Sequence, residues 1–209
     1  MNPVIVLKAL LAVLLTSPLV WLAWRISLDI QQPGTGLGAD AGEYLVHYLG
    51  EWSLVMVLTA FTISPLRRWT NYAGWLRSRR MVGLFAFSYV VLHLTSYVYF
   101  YLGFSWPALL EDFVERAYIT AGMLGFFCLL LMSVTSTRGW QRRLRHRWQQ
   151  LHQLIYLAIA AGLVHLWWLT REGYLEVTLY SLWFALLCIE RWSVDRKLSW
   201  RSGVQSPPG

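Results

Sequence analysis

The sequence predicts an all-α membrane protein: a single domain formed by a bundle of six transmembrane helices, with the N- and C-termini both cytoplasmic. Three observations predict it. Hydrophobic residues make up 56% of the 209 and charged residues only 14%, well away from the balance of a soluble domain. The apolar residues fall in six runs of about 19–24 residues, each long enough to cross a hydrocarbon core. The charges alternate between connections. Arg67, Arg68, Arg77, Arg79 and Arg80 form one basic cluster, Arg138, Arg142, Arg143, Arg145 and Arg147 a second, and Arg191, Arg196, Lys197 and Arg201 a third. Asp29, Asp40, Glu43, Glu111, Asp112, Glu115, Glu172 and Glu176 occupy the other three connections, which is the positive-inside pattern.

The first span, 4–24, ends in WLAWR with no small-residue cleavage site and contains Pro18, so it reads as a retained helix rather than a signal peptide. Lys8 can snorkel to the cytoplasmic face. The following QQPGTGLGADAGEY carries Pro and Gly and reads as irregular external structure. The second span, 48–66, ends at Pro65 and the first arginine cluster. The third, 81–104, holds His93 near its middle, and a short acidic loop, PALLEDFVER, leads to the fourth, 117–136. The fifth, 149–169, holds His152 and His165; a tight turn at 170–173 gives the sixth, 174–192, and a basic, then Ser-, Pro- and Gly-rich tail, 193–209, is expected in the cytoplasm. Many of the thirteen Trp fall near the ends of these runs, as interfacial belts require.

Several function classes are excluded. The net charge of +7 sits in loops facing one side, which suits membrane lipid rather than nucleic acid. Cys128 and Cys188 lie in separate apolar segments and read as small core residues, not as a disulfide or a cluster site. There is no internal repeat, and no Gly-rich loop precedes a helix, so no nicotinamide-binding unit is expected.

The histidines carry the functional signal. His146 lies among arginines and reads as solvated; His47, where the second span begins, reads as an interfacial hydrogen-bonding residue. His93, His152 and His165 are embedded in apolar helix, where ionisable groups are costly and mark function. No buried Asp, Glu or Lys stands near them in sequence to suggest a proton relay, so neutral imidazoles for a metal are favoured. Zinc fits poorly without Cys or carboxylate ligands. Haem needs only axial imidazoles and an apolar, aromatic-rich slot. On residue chemistry alone, a role in core packing, transport or a proton path stays open beside it. Tyr89, Tyr97, Tyr156, Trp167 and Trp168 either line such a slot or serve packing and the interfacial belt.

Helical geometry sorts the three histidines. Thirteen residues separate His152 from His165, about 20 Å along a helix and about 140° around it, so they cannot ligate one iron unless the helix is distorted, for instance near Gly162. His93 lies about 20 Å from Arg80 and His165 about 27 Å from Arg147, whereas His152 is only about 8 Å from Arg147. By depth His93 is nearer His165, with a pairing of His93 and His152 also open.

At these residues the chain resembles the MsrQ family (formerly YedZ), the haem-binding membrane subunits of periplasmic methionine sulfoxide reductase systems, within the ferric-reductase-like transmembrane superfamily that also contains the NADPH oxidases. The resemblance covers about 37–192 and is strongest in GLGADAGEYLVHYLG, RSRRMVGLFAFSYVVLHLTSY and TSTRGWQRRLRHRWQQLHQLIYLAIAAGLVHLWW. It implies that His93, His152 and His165 serve one or two b-type haems as iron ligands, and that FMN binds on the cytoplasmic side with Arg79 and Arg80 as contacts for its phosphate, a role guanidinium chemistry suits. The oxidases carry two histidines on each ligand helix, but the position fourteen beyond His93 is Pro107, so a second haem would need His47 or a non-His group to complete its ligands.

The resemblance further implies an electron conduit in the bacterial inner membrane. Electrons would come from the quinone pool or a cytosolic flavin reductase, pass through FMN and haem, and leave to a periplasmic molybdopterin-containing reductase that repairs oxidised methionine. No catalytic residue is expected in this chain, which supplies binding, orientation and tuning for its cofactors. Two other classes compete: a stand-alone ferric or quinone reductase, and a proton-coupled transporter using its histidines.

Overall fold

The computed structural model describes residues 2–171 and 173–203, with side chains to Val194. Glu172 of the expected tight turn, the side chains of Arg196, Lys197 and Arg201, and the end of the tail, 204–209, lie outside the described residues. Among the described residues the chain is helical with no strand. Its helices are α1 (Pro3–Gln31), α2 (Ala41–Thr70), α3 (Gly74–Phe100), α4 (Trp106–Glu115), α5 (Ala117–Val134), α6 (Arg138–Leu144), α7 (His146–Leu151), α8 (Leu154–Leu169) and α9 (Leu175–Gly203). Six stretches are long and apolar enough to cross a membrane: α1, α2, α3, α5, the α7–α8 run and residues 175–194 of α9.

The helix at the centre is α2. Half of its apolar window is buried, against 11–22% in the other five spans, and Leu58, Phe61 and Ile63 on it are almost fully enclosed. The partner helices turn one stripe inward and leave Val13, Leu14, Leu182 and Leu186 exposed, the apolar exterior that a lipid-facing surface requires. Small residues bring α5 against α8: a Cβ on Gly125 would stand 3.4 Å from the Ala158 carbonyl and 3.8 Å from the Ala161 Cβ, the close backbone approach typical of helix pairs in membranes.

Local chemistry explains where helices begin, end and continue. Asn2, Asp40, Ser105 and Thr137 cap α1, α2, α4 and α6 with side-chain oxygens that accept from backbone N–H groups, filling donors that a helix start leaves open. Asn71 ends α2 at φ 53°, a left-handed conformation Asn tolerates. The loop after α1 folds around Asp29, whose Oδ1 accepts from the backbone N–H of Gly34, Gly36 and Leu37 at 3.0–3.2 Å. Gly36 has no alternative there, since a Cβ would fall 2.0 Å from the Arg25 carbonyl oxygen.

Four elements differ from the sequence expectation. Pro65 does not end the second span: α2 runs through it to Thr70. Proline removes the hydrogen bond to the carbonyl four residues earlier, that of Phe61, and Arg191 of α9 donates to that oxygen from Nη2 at 2.7 Å while its guanidinium stacks 3.7 Å over the Phe61 ring. PALLEDFVER is a helix, α4, not a loop; Ser105 caps it and Pro107 sits in its first turn, where proline's missing N–H costs nothing. The fifth span breaks at His152–Gln153, between α7 and α8, while α8 passes through Gly162 without interruption. Finally, α9 continues past 192 into the tail as far as Gly203, because no helix-breaking residue comes earlier.

Candidate functional site

At the end of the bundle that carries the acidic connections, α2, α3, α5 and α8 surround a slot of about 500 Å³. Its walls are apolar, including Leu54, Val57, Phe126 and Leu129, and besides His47 two histidines line it. His93 reaches in from α3 and His165 from α8. Their ring centres are 6.3 Å apart with the planes inclined at 73°. His152 does not line the slot.

Each imidazole is held from behind by a backbone carbonyl. His93 Nδ1 lies 3.0 Å from the Val46 oxygen of α2, and His165 Nδ1 lies 2.6 Å from the Tyr118 oxygen of α5. A carbonyl only accepts, so each Nδ1 carries the hydrogen and each Nε2 keeps its lone pair. A hydrogen bond to the nitrogen away from the metal is the kind of contact that fixes the tautomer of a metal-binding imidazole.

Both carbonyls are reachable for the same local reason. In an α-helix the carbonyl of residue i points toward residue i+4, and here that residue is glycine each time: Gly50 after Val46, Gly122 after Tyr118. A Cβ on Gly50 would stand 2.9 Å from His93 Cε1, and one on Gly122 would stand 2.9 Å from His165 Nδ1. The two notches are therefore conditions for seating the rings. Sequence reasoning passed over them, although a glycine one helical turn past a neighbouring carbonyl, on a helix facing a buried His, is a signal the sequence carries.

Two neutral imidazoles in one apolar slot are a donor set that would suit a single metal ion. With metal–imidazole bonds of about 2.0–2.1 Å and a ring centre about 1.2 Å behind each nitrogen, two such rings have centres about 6.4 Å apart, close to the separation observed. A haem bound there would be held by His93 and His165 against apolar walls and would supply one-electron chemistry. The mouth of the slot is polar, with His47, Glu51, Arg116, Arg171 and Glu176. Arg116 is tied to Asp112 by an ion pair at 3.0 Å, and Tyr97, which lines the slot, donates to the same carboxylate.

The remaining candidates lie elsewhere. His152 stands in the break between α7 and α8 at the basic end, its Nδ1 3.1 Å from the Trp148 carbonyl and its ring against Trp148 at 4.0 Å. Here too Nε2 is spare. His152 is within electrostatic range of Arg79, which in turn senses Arg191 and Tyr156. Arg80, next to Arg79, instead lines a separate cavity with Lys8, Arg77 and Arg138, because successive helical residues point about 100° apart. The two arginines thus do not face one site. Pro107 opens α4, outside α3. Tyr89 is fully buried and donates to the Leu15 carbonyl at 2.7 Å, Tyr156 packs edge-on to Phe61, and Trp167 and Trp168 are more than half exposed. Of the five aromatics, Tyr97 alone lines the slot.

Residues 44–163 match the family described as ferric reductase like transmembrane component, a stretch that includes most of α2, all of α3 and α5 and most of the slot, and ends two residues before His165. Over 198 residues, 95% of this chain and 90% of the relative, it is 38% identical to the protein-methionine-sulfoxide reductase heme-binding subunit MsrQ of Xanthomonas campestris pv. campestris (strain 8004). The subunit of the same name in Xanthomonas axonopodis pv. citri (strain 306) is 37% identical over the same coverage. With the six-helix fold and the facing histidines, these similarities place the chain in the ferric reductase-like transmembrane family, among its MsrQ members.

Proposed function

We propose that this chain is the haem-bearing electron-transfer subunit of a protein-methionine-sulfoxide reductase system, with His93 and His165 as the axial ligands of one b-type haem. The observation that carries the reading is the pair of imidazoles facing each other across an apolar slot, each with Nδ1–H on a backbone carbonyl and Nε2 spare. A bound haem supplies one-electron chemistry. The protein's share is to orient and hold. The Val46 and Tyr118 carbonyls fix the tautomers, Gly50 and Gly122 make room for the rings, and Arg116 and Arg171 at the mouth offer cations to the haem carboxylates.

The rest of the pathway is what the family resemblance implies, laid over the two charged ends. By the positive-inside rule the arginine-rich end and both termini face the cytoplasm and the slot opens toward the periplasm, in the inner membrane of a bacterium. Electrons enter at the basic end from the quinone pool or a cytosolic flavin reductase, with FMN bound there beside Arg79 or Arg80, which face different sites. His152 belongs to that entry side, as ligand to a second haem or as neighbour of the flavin. They leave at the slot's mouth to a periplasmic molybdopterin-containing subunit, which reduces the methionine sulfoxide. This chain performs no sulfoxide chemistry itself.

Visible spectroscopy tests the reading. The purified protein is expected to show a low-spin haem Soret band that is lost in His93→Ala and in His165→Ala. Full haem content in both variants would refute it.

A further inference from the structure

At the basic end, helices far apart in sequence place four cations around one cavity of about 450 Å³: Lys8 of α1, Arg77 and Arg80 of α3, and Arg138 of α6, with the Gln141 amide beside them. No acidic residue lines it, and none of the four pairs with a described carboxylate. Arg77 and Arg80 are three residues apart on one helical face, where like charges destabilise the helix. The positive-inside rule accounts for basic loops, and Arg77, Arg80 and Arg138 are exposed. What topology does not account for is that Lys8, part-buried on a different helix, lines the same open concavity. Four positive groups sharing one concave space call for an anion, and a group with several acceptor oxygens fits an array of guanidinium forks best.

We propose that Lys8, Arg77, Arg80 and Arg138 form a binding site for a phosphate group. Two molecules at this end of the bundle carry one: the monoester of a flavin mononucleotide and the diester of an anionic phospholipid, for which basic pockets between transmembrane helices are suited. Arg79, on the next face of α3, takes no part. The flavin source rests on the flavin reading above; the lipid source is independent of it.

The full chain purified in neutral detergent decides the matter. In one arm FMN is titrated by fluorescence quenching, with riboflavin, which lacks the phosphate, as the control. In the other, phosphatidylglycerol retained per chain after detergent washing is counted by native mass spectrometry. Both arms are run with the natural chain, with and without excess inorganic phosphate, with the double variant Lys8→Gln/Arg138→Gln, and with the charge-keeping Lys8→Arg/Arg138→Lys. In at least one arm, inorganic phosphate is expected to displace the ligand, the Gln variant to bind about fivefold more weakly for each cation removed, and the charge-keeping variant to bind normally. The responding arm names the source. Riboflavin binding that equals FMN binding removes the flavin as source without touching the lipid arm. If phosphate competes in neither arm, or if the Gln variant binds both ligands like the natural chain, the proposal is overturned. The competition uses the unaltered protein, so a poorly folded variant cannot protect it.

Discussion

Replacing Gly122 with alanine tests whether the glycine notch is what seats the histidine. The added Cβ would lie 2.9 Å from His165 Nδ1 and 3.1 Å from its Cε1, whereas ordinary contact begins at 3.4 Å. Relieving the clash moves the ring by about 0.5 Å, the whole positional tolerance of a preorganised site. The ring cannot simply swing away, because its Nδ1–H is bound to the Tyr118 carbonyl at 2.6 Å. Overpacking of this kind costs roughly 1–3 kcal/mol, which corresponds to about a fivefold to 150-fold loss of haem affinity if the strain falls on the bound state. Haem retained per chain during dilution in detergent, followed by the Soret band, measures it. Gly83→Ala on α3 is the control, since a Cβ there meets nothing within 4 Å. The reasoning is refuted if Gly122→Ala keeps haem like the natural chain, or if Gly83→Ala loses it equally.

Other consequences can be checked in the same preparation. Arg191→Ala strips the Phe61 carbonyl of the donor that replaces the one lost at Pro65, and is expected to cost about 1–3 kcal/mol in thermal unfolding; in a Pro65→Ala background, where a backbone N–H returns, the cost should shrink, and an equal cost in both backgrounds would contradict the account. His152→Ala is expected to leave the slot haem in place, because His152 sits at the other end of the bundle; loss of the whole Soret band would show that the assignment of the slot is wrong. Gly36→Ala cannot be built without moving α1 or the loop, so faster proteolytic nicking between α1 and α2 is expected, and unchanged resistance would count against the Asp29-centred loop.

The sequence by itself determined the class of fold and the main candidates. Span length and hydrophobicity are one-dimensional properties, so six spans were legible in apolar runs alone, and the cost of ionisable groups in lipid singled out His93, His152 and His165. Helical rise was enough to separate His152 from His165 and to put His93 nearer the latter, without closing the pairing with His152. Pairing, in contrast, is decided by which helices pack. Only the tertiary structure showed that α2 and α5 lend the carbonyls that orient the two imidazoles, and that Gly50 and Gly122 leave space for them. It alone divided Arg79 from Arg80 and gathered Lys8 with Arg138. Pro65 illustrates the reason. Read locally, proline ends a helix; in the bundle, an arginine 126 positions later supplies the missing donor, and no pattern within α2 could announce a partner that far along the chain.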